Sequence, residues 1–260
     1  MVTSDADNQK LKMKKQFLVL ATTVVSLVII SCSKEKTEME SSTLNPGEQT
    51  ASSNAPAERL VVDPLLVNLE GRFEFNSNLK DLSKKLGDGV PTRRGVSYGF
   101  DRKGNFKAAL YLDSTYSVKL NDVPQQTKTS LSVWVKPVHL QNGFGGIVTH
   151  QTMGPKVDQS VARLSCAVAT DISTPGEYID IFYPGWHHVV ITYDGSNVRA
   201  YINNVLKATL PHSASISPSL IDYVVGWSYI WDCNWKGYVD DLRFYSRTLS
   251  ASDVQKLYNL

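Results

Sequence analysis

The sequence predicts an all-β body, a sandwich or a barrel, on three observations. After Leu60, apolar and polar residues alternate over many short segments separated by Gly, Asp, Asn and Pro. Asp194-Gly195 joins two such segments as a hairpin would, and Asn203-Asn204 offers a second turn in which both residues tolerate positive φ. A convincing helical pattern occurs once, at the C-terminal end. Short strands at close spacing with repeated turn signals are the mark of sandwiches and barrels.

From the N-terminus, Met13-Lys14-Lys15 opens a basic region, Phe17 to Ile30 is an uncharged apolar run, and Ser31 and Cys32 follow. A basic start, a short apolar stretch and a small residue before the cut describe a secretory signal. The run is short against the roughly 20 residues of a spanning helix. Ile29-Ile30-Ser31-Cys32 resembles the lipobox of bacterial lipoproteins. That resemblance implies that Cys32 is the lipidation site and the new N-terminus, and that Met13 is the true start. Ser33, where an aspartate would retain the protein at the inner membrane, implies an outer-membrane lipoprotein of the cell envelope. The alternative is a soluble protein released by cleavage. Residues 33–59 are rich in Ser, Thr, Glu, Asn and Pro with almost no large apolar side chains, so they read as a flexible tether. The expected layout is residues 1–31 as upstream residues and signal, 32–60 as lipidated cysteine and tether, and 61–260 as one domain.

The composition suits such a body. Hydrophobic residues make up 42% of the 260, enough to form a core without disulfide staples. The formal charge is only +2, and no basic cluster exceeds Lys84-Lys85 or Arg93-Arg94, which argues against nucleic acid as a partner. Cys166 and Cys233 remain after Cys32, either as a disulfide or as two buried thiols.

Within the body, Leu131, Val133 and Val135 fall on one face of a strand, with Ser132, Trp134 and Lys136 on the other. His187 and His188 are adjacent in the next clear strand, so they point to opposite faces and cannot ligate one metal. They read as strand residues, His188 sharing the face of Val190 near the core edge. The helix is "TLSASDVQKLYNL": Ser250 caps it, Asp253 completes a capping box, and Val254, Leu257 and Tyr258 form the apolar stripe.

Five stretches, taken in order, carry a family resemblance. "LEGRFEFNSNLKDLS" from Leu69, "FDRKGNFKAALYLDSTYSV" from Phe100, "LSVWVKP" from Leu131, "WHHVVITYDGSNVRAYINN" from Trp186 and "KGYVDDLRFYSRTLSASDVQKLY" from Lys236 are similar to the laminin-G-like domains of bacterial surface proteins. The resemblance implies a concanavalin A-like jelly-roll sandwich of two antiparallel sheets with a short C-terminal helix. Ser77, Lys84 and Ser114 stand where the family has glycine, which puts the loop geometry there in question.

Candidate chemistry is sparse. "GEYIDIF" is superficially similar to the carboxylate strand of one glycosidase group, but Glu177 and Asp180 are three residues apart and face opposite ways. A retaining pair needs carboxyls about 5–5.5 Å apart in one cleft. No enzyme is expected. Asp240 and Asp241 are adjacent in an apolar strand, so one is expected to face inward, and a buried carboxylate needs a partner. Asp240 and Asp81 could share a structural Ca²⁺, an ion the family resemblance also implies. The alternatives are an ion pair with Arg243 or Arg72, or loop amides. In "GWSYIWDCNW", Trp227, Tyr229 and Trp231 share one face if extended, with Asp232 and Asn234 as polar flanks, while Trp235 is expected in the core. Such a row could stack sugar rings, or could dock a protein; alternatively Trp227 closes the core. The expected function is non-catalytic recognition of carbohydrate by a surface lipoprotein, with adhesion to a surface protein as the alternative.

Overall fold

The computed structural model of the chain describes residues 62–92, 95–121, 127–138, 141–150, 154–161, 163–169, 176–180, 185–216, 222–228 and 233–260. The expected signal, Cys32 and the tether lie outside the described residues.

A single 3-10 turn, Pro64–Leu66, precedes the strands. In chain order these are β1 (Leu69–Phe73), β2 (Val90–Pro91), β3 (Ser97–Gly99), β4 (Ala109–Asp113), β5 (Val118–Leu120) and β6 (Thr129–Pro137). Then follow β7 (Gln141–Thr149), β8 (Gly154–Val161), β9 (Arg163–Ala169), β10 (Gly176–Asp180), β11 (His187–Tyr193) and β12 (Asn197–Ile202). The last are β13 (Val205–Pro211), β14 (Tyr223–Val225), β15 (Trp227–Ser228), β16 (Cys233–Asn234), β17 (Lys236–Tyr245) and the helix α1 (Ala251–Tyr258).

The strands form two sheets. The first is 8-stranded, in the order β13-β12-β11-β6-β17-β4-β3, with β1 also paired to β17. The second is 9-stranded, in the order β10-β9-β8-β7-β14-β5-β2, with the β15–β16 pair attached to β7. Pairings are antiparallel except for a parallel bridge between Asn234 of β16 and Gly146 of β7. First and last strands are neighbours, with Phe73 opposite Leu242.

Period-two alternation builds two cores. Leu131, Val133 and Val135 of β6 meet Val189 and Ile191 of β11 and Ile147, Val157 and Leu164 of the second sheet in the main core. The other face of the first sheet is capped by α1, where Val190, Tyr201 and Tyr245 pack with Val254 and Leu257 and with Leu65 of the 3-10 turn. Burying Val254 and Leu257 contributes about 1.5–3 kcal/mol each. Ser250 caps α1 in a capping box with Asp253, as the sequence predicts. Cys166 is a free, buried thiol in the core, its pKa pushed up to about 12 by burial; the side chain of Cys233 lies outside the described residues.

The predicted turns take the predicted backbone: Asn203 and Asn204 have φ of 50° and 63° between β12 and β13. The three positions where the family has glycine also adopt the left-handed region, with φ of 57° at Ser77, 61° at Lys84 and 76° at Ser114. The loop geometry is therefore kept and the side chain bears the strain. A Cβ in this region costs about 1–2 kcal/mol, and the extra freedom of an unfolded glycine returns about 0.5–1 kcal/mol of that. Lys84 is exposed. Lys84→Gly should therefore stabilise the domain by about 0.5–1 kcal/mol in urea unfolding; an unchanged or lower midpoint would show that the loop relaxes at no cost.

Candidate functional site

Two polar constellations stand out, one on each sheet. The first lies at an irregularity in β17. From Lys236 to Val239 this strand pairs with β4, and from Leu242 to Tyr245 with β1. Between them its register against β6 shifts at Asp240–Arg243, and Asp241 has a φ of 45°. A bulge in a central strand exposes polar groups inside the fold, and both acids are indeed buried, with Asp240 at 4% and Asp241 at 6% exposure.

Arg102 fills that gap. It comes from the turn after β3, where Asp101 Oδ1 accepts from the amides of Lys103 and Asn105. Its Nη1 donates to Asp240 Oδ2, and Nη2 lies 3.6 Å from Asp241 Oδ2. Arg243 donates from Nε to Asp241 Oδ1 at 2.8 Å. Burial pushes the Asp240 carboxyl up to about 7; Arg102 opposes the shift and the charge of Asp241 adds to it. The guanidinium of Arg102 also sits 4.8 Å above the ring of Trp134. Trp134 in turn stacks on His188 at 5.0 Å and on Tyr258 of α1 at 5.5 Å. Beside this network opens a cleft of about 300 Å³, lined by Arg72, Glu74, Asn76, Asp101, Asp240 and Arg243 among others.

The histidines are structural. His188 is 1% exposed, with Nε2 2.9 Å from Ser132 Oγ, and burial pushes its pKa down to about 3, so the ring is neutral. His187 lies on the opposite face with Val189, at 4% exposure. Glu177 and Asp180 fall in β10, both exposed, and Asp180 pairs with Arg163 at 2.8 Å.

Asp81 and Asp240 each have their own partners. The Asp81 carboxylate accepts from the amides of Arg72, Ser83, Lys85 and Leu86 and from the Ser83 hydroxyl. Burial raises its pKa, but these hydrogen bonds outweigh burial and hold it below the usual range. Among the described residues no group of three or more His, Cys, Asp or Glu side chains suits a metal ion. The contacts follow the alternatives to calcium: loop amides for Asp81 and an arginine for Asp240, although Arg102 takes the place expected of Arg243 or Arg72. A calcium ion shared by Asp81 and Asp240 stays a proposal that these contacts do not support. Arg102 was readable only as part of the "DRKGN" stretch, since nothing local signals a partner 138 residues away.

The second constellation is the corner where β14 gives way to β15 and β16. Gly226 takes a φ of 95°, and Trp227 then pairs with Asn234. Trp235 is fully buried in the main core, as expected, against Gly237, where a Cβ would lie 2.4 Å from its ring. Asn234, one residue earlier, therefore faces away from the core. Trp227 is half-buried and so is Asn234. Thr149 Oγ1 donates to the Trp227 carbonyl at 2.5 Å, fixing the corner to β7. The structure thus brings together Trp227 and Asn234; Tyr229, Trp231 and Asp232 lie outside the described residues.

Comparison with known proteins identifies the architecture. The model of the concanavalin A-like lectin/glucanases superfamily matches residues 112–255, more than half of the chain. No curated protein matches in sequence. Among solved structures, domain 4 of AbnA, a GH43 extracellular arabinanase from Geobacillus stearothermophilus, in complex with arabinotriose, is 22% identical. Its TM-score is 0.61, over 74% of this chain and 98% of that one. The binding domain of botulinum neurotoxin DC in complex with SialylT is 16% identical, with a TM-score of 0.58, over 74% of this chain and 51% of that one. The binding domain of Paraclostridial Mosquitocidal Protein 1 is 16% identical, with a TM-score of 0.61, over 74% and 52%. This chain spans about half of those toxin domains. At these identities the likeness is one of fold.

Proposed function

Because the chain belongs to the concanavalin A-like lectin/glucanases superfamily, we propose that it is a membrane-anchored surface lipoprotein whose jelly-roll body binds carbohydrate without cleaving it. The observation that carries the binding reading is the half-buried Trp227 held opposite Asn234 at the β15–β16 corner. An aromatic face beside an amide suits a sugar, whose ring offers C–H groups to the indole and hydroxyls to the amide. The complexes of the arabinanase domain with arabinotriose and of the toxin domain with SialylT support this reading by analogy of fold.

The non-catalytic part rests on how the acids are used. The adjacent pair Asp240 and Asp241 is held by Arg102 and Arg243, and Asp180 pairs with Arg163. A glycosidase needs an acid free to donate a proton opposite a free carboxylate. A second reading, docking of a surface protein, is favoured by an exposed aromatic pair elsewhere. Phe100 and Phe106 are 58% and 66% exposed, with ring centroids 5.2 Å apart.

The test of binding is a panel of neutral and acidic glycans titrated into the chain carrying Cys32→Ala, followed by tryptophan fluorescence. A saturable shift is expected, weakened about tenfold or more by Trp227→Ala, a loss near 1.4 kcal/mol. A flat response from folded protein would transfer the leading place to the protein-docking reading. The anchor has its own check: Cys32→Ala should move the protein from the membrane fraction to the soluble fraction, and unchanged fractionation would remove the lipoprotein assignment.

A further inference from the structure

Beside the Trp227 corner, the strand registers bring an acid into line with Asn234. Asp158 of β8 is opposite Gly146 of β7, and Gly146 is bridged to Asn234 of β16. On its other side Asp158 is opposite Ser165 of β9. Residues in register on neighbouring strands share a face. Val157 and Trp235, each one residue away in sequence, lie in the main core, so Asp158, Gly146 and Asn234 face away from it. Gly146 leaves that face open for a reason: a Cβ there would meet Trp227 C and Ser228 N, both at 2.6 Å. The backbone of Trp227 and Ser228 therefore comes down on the sheet one strand from Asp158, about 5 Å away.

Asp158 is only partly satisfied within the fold. Its Oδ1 is buried and has no hydrogen-bond partner among the described residues. Such a group is costly, and most buried polar atoms are satisfied. The charged group facing it is Lys156, two residues along the same face of β8 and only 9% exposed. Arg163, on β9, is turned to Asp180. Among the described residues, the neighbours on its face from β7, β9 and β15–β16 are Gly146, Ser165, Trp227, Ser228 and Asn234, none of them charged; the Cys166 thiol of β9, on the core side, is held neutral by burial and by the charge of Asp158.

We propose that Asp158 is a ligand-binding residue of the Trp227 corner, accepting hydrogen bonds from the hydroxyls of an uncharged saccharide. This inference rests on the carbohydrate reading and narrows it. An acidic sugar would bring a second carboxylate to a buried one, whereas neutral hydroxyls supply the donors that Oδ1 lacks. Burial pushes the Asp158 carboxyl up to about 6, against the opposing pull of Lys156, and burial lowers the pKa of Lys156.

The sign follows for both stability and binding. A carboxyl raised in the folded state favours folding fully below its unfolded value, near 4, and that contribution is lost as pH rises through about 6. At pH 8 the wild-type domain therefore carries an ionised, partly unpaired acid. The ionised form is also the stronger acceptor, so affinity should rise between pH 5 and pH 7.

The experiment compares wild type, Asp158→Asn, and Asp158→Asn with Lys156→Met, the last removing any charge left alone by the first. Melting temperature at pH 8 and affinity for the neutral glycans of the panel are measured for each. The expected result is a melting temperature at pH 8 equal to or above wild type in at least one variant. In that variant, affinity falls about tenfold and loses its pH dependence. Glycan binding by wild type that the folded variants retain within about twofold would overturn the role of Asp158 and leave the carbohydrate reading standing. A fall in melting temperature in both variants at pH 8 would make Asp158 structural. Wild type that binds no neutral glycan overturns both.

Discussion

The guanidinium of Arg102 is the constraint around which the first sheet is arranged. β17 lies between β6 and two successive partners, and where it changes from β4 to β1 it must bulge. That bulge turns two carboxylates into the fold, which a sheet interior does not tolerate unpaired. Arg102 reaches Asp240 and Asp241 from a turn 138 residues earlier in the chain. It links the loop after β3 to the last strand. The same side chain covers Trp134, and Trp134 carries His188 and Tyr258, so the ion-pair network continues into the seat of the C-terminal helix.

That arrangement bears on where the proposed binding would occur. The outer face of the first sheet is occupied by α1 and the 3-10 turn, with Val190, Tyr201 and Tyr245 buried beneath them. The second sheet has no such cap among the described elements, and its strands β7 and β8 present Gly146 and Asp158 to the face crossed by Trp227 and Ser228. One sheet is thus packed on both sides as a rigid support, and the other presents the corner. Recognition residues held on strands keep their geometry better than residues on free loops.

Much of the fold was legible because it depends on period and local turns. Alternation assigned the faces of β6 and β11, including the opposite directions of His187 and His188. Asn203-Asn204 and the Ser250–Asp253 box declared a turn and a helix start. Trp235, expected in the core, lies there. What was hidden depends on partners distant in sequence. Alternation shows that Asp240 or Asp241 must turn inward but not that Arg102 meets them. Lys156 and Asp158 drew no reading from the sequence, and nothing near them tells that the Trp227–Ser228 backbone crosses the neighbouring strand. The substituted glycines fall between these cases: the residues present at Ser77, Lys84 and Ser114 put the loop geometry in question, and the structure keeps the left-handed backbone at all three.

The most direct test of the Arg102 constraint is a double-mutant cycle between Arg102→Met and Asp240→Asn, measured by urea unfolding at pH 8, where the Asp240 carboxyl is largely ionised. Removing the arginine alone leaves buried charge uncompensated and should cost about 3–5 kcal/mol. With Asp240 already neutral, the same change should cost at least 1 kcal/mol less, a coupling within the range of about 0.5–3 kcal/mol found for side chains in contact. Costs that simply add, to within about 0.5 kcal/mol, would contradict the claim that this buried pair organises the sheet.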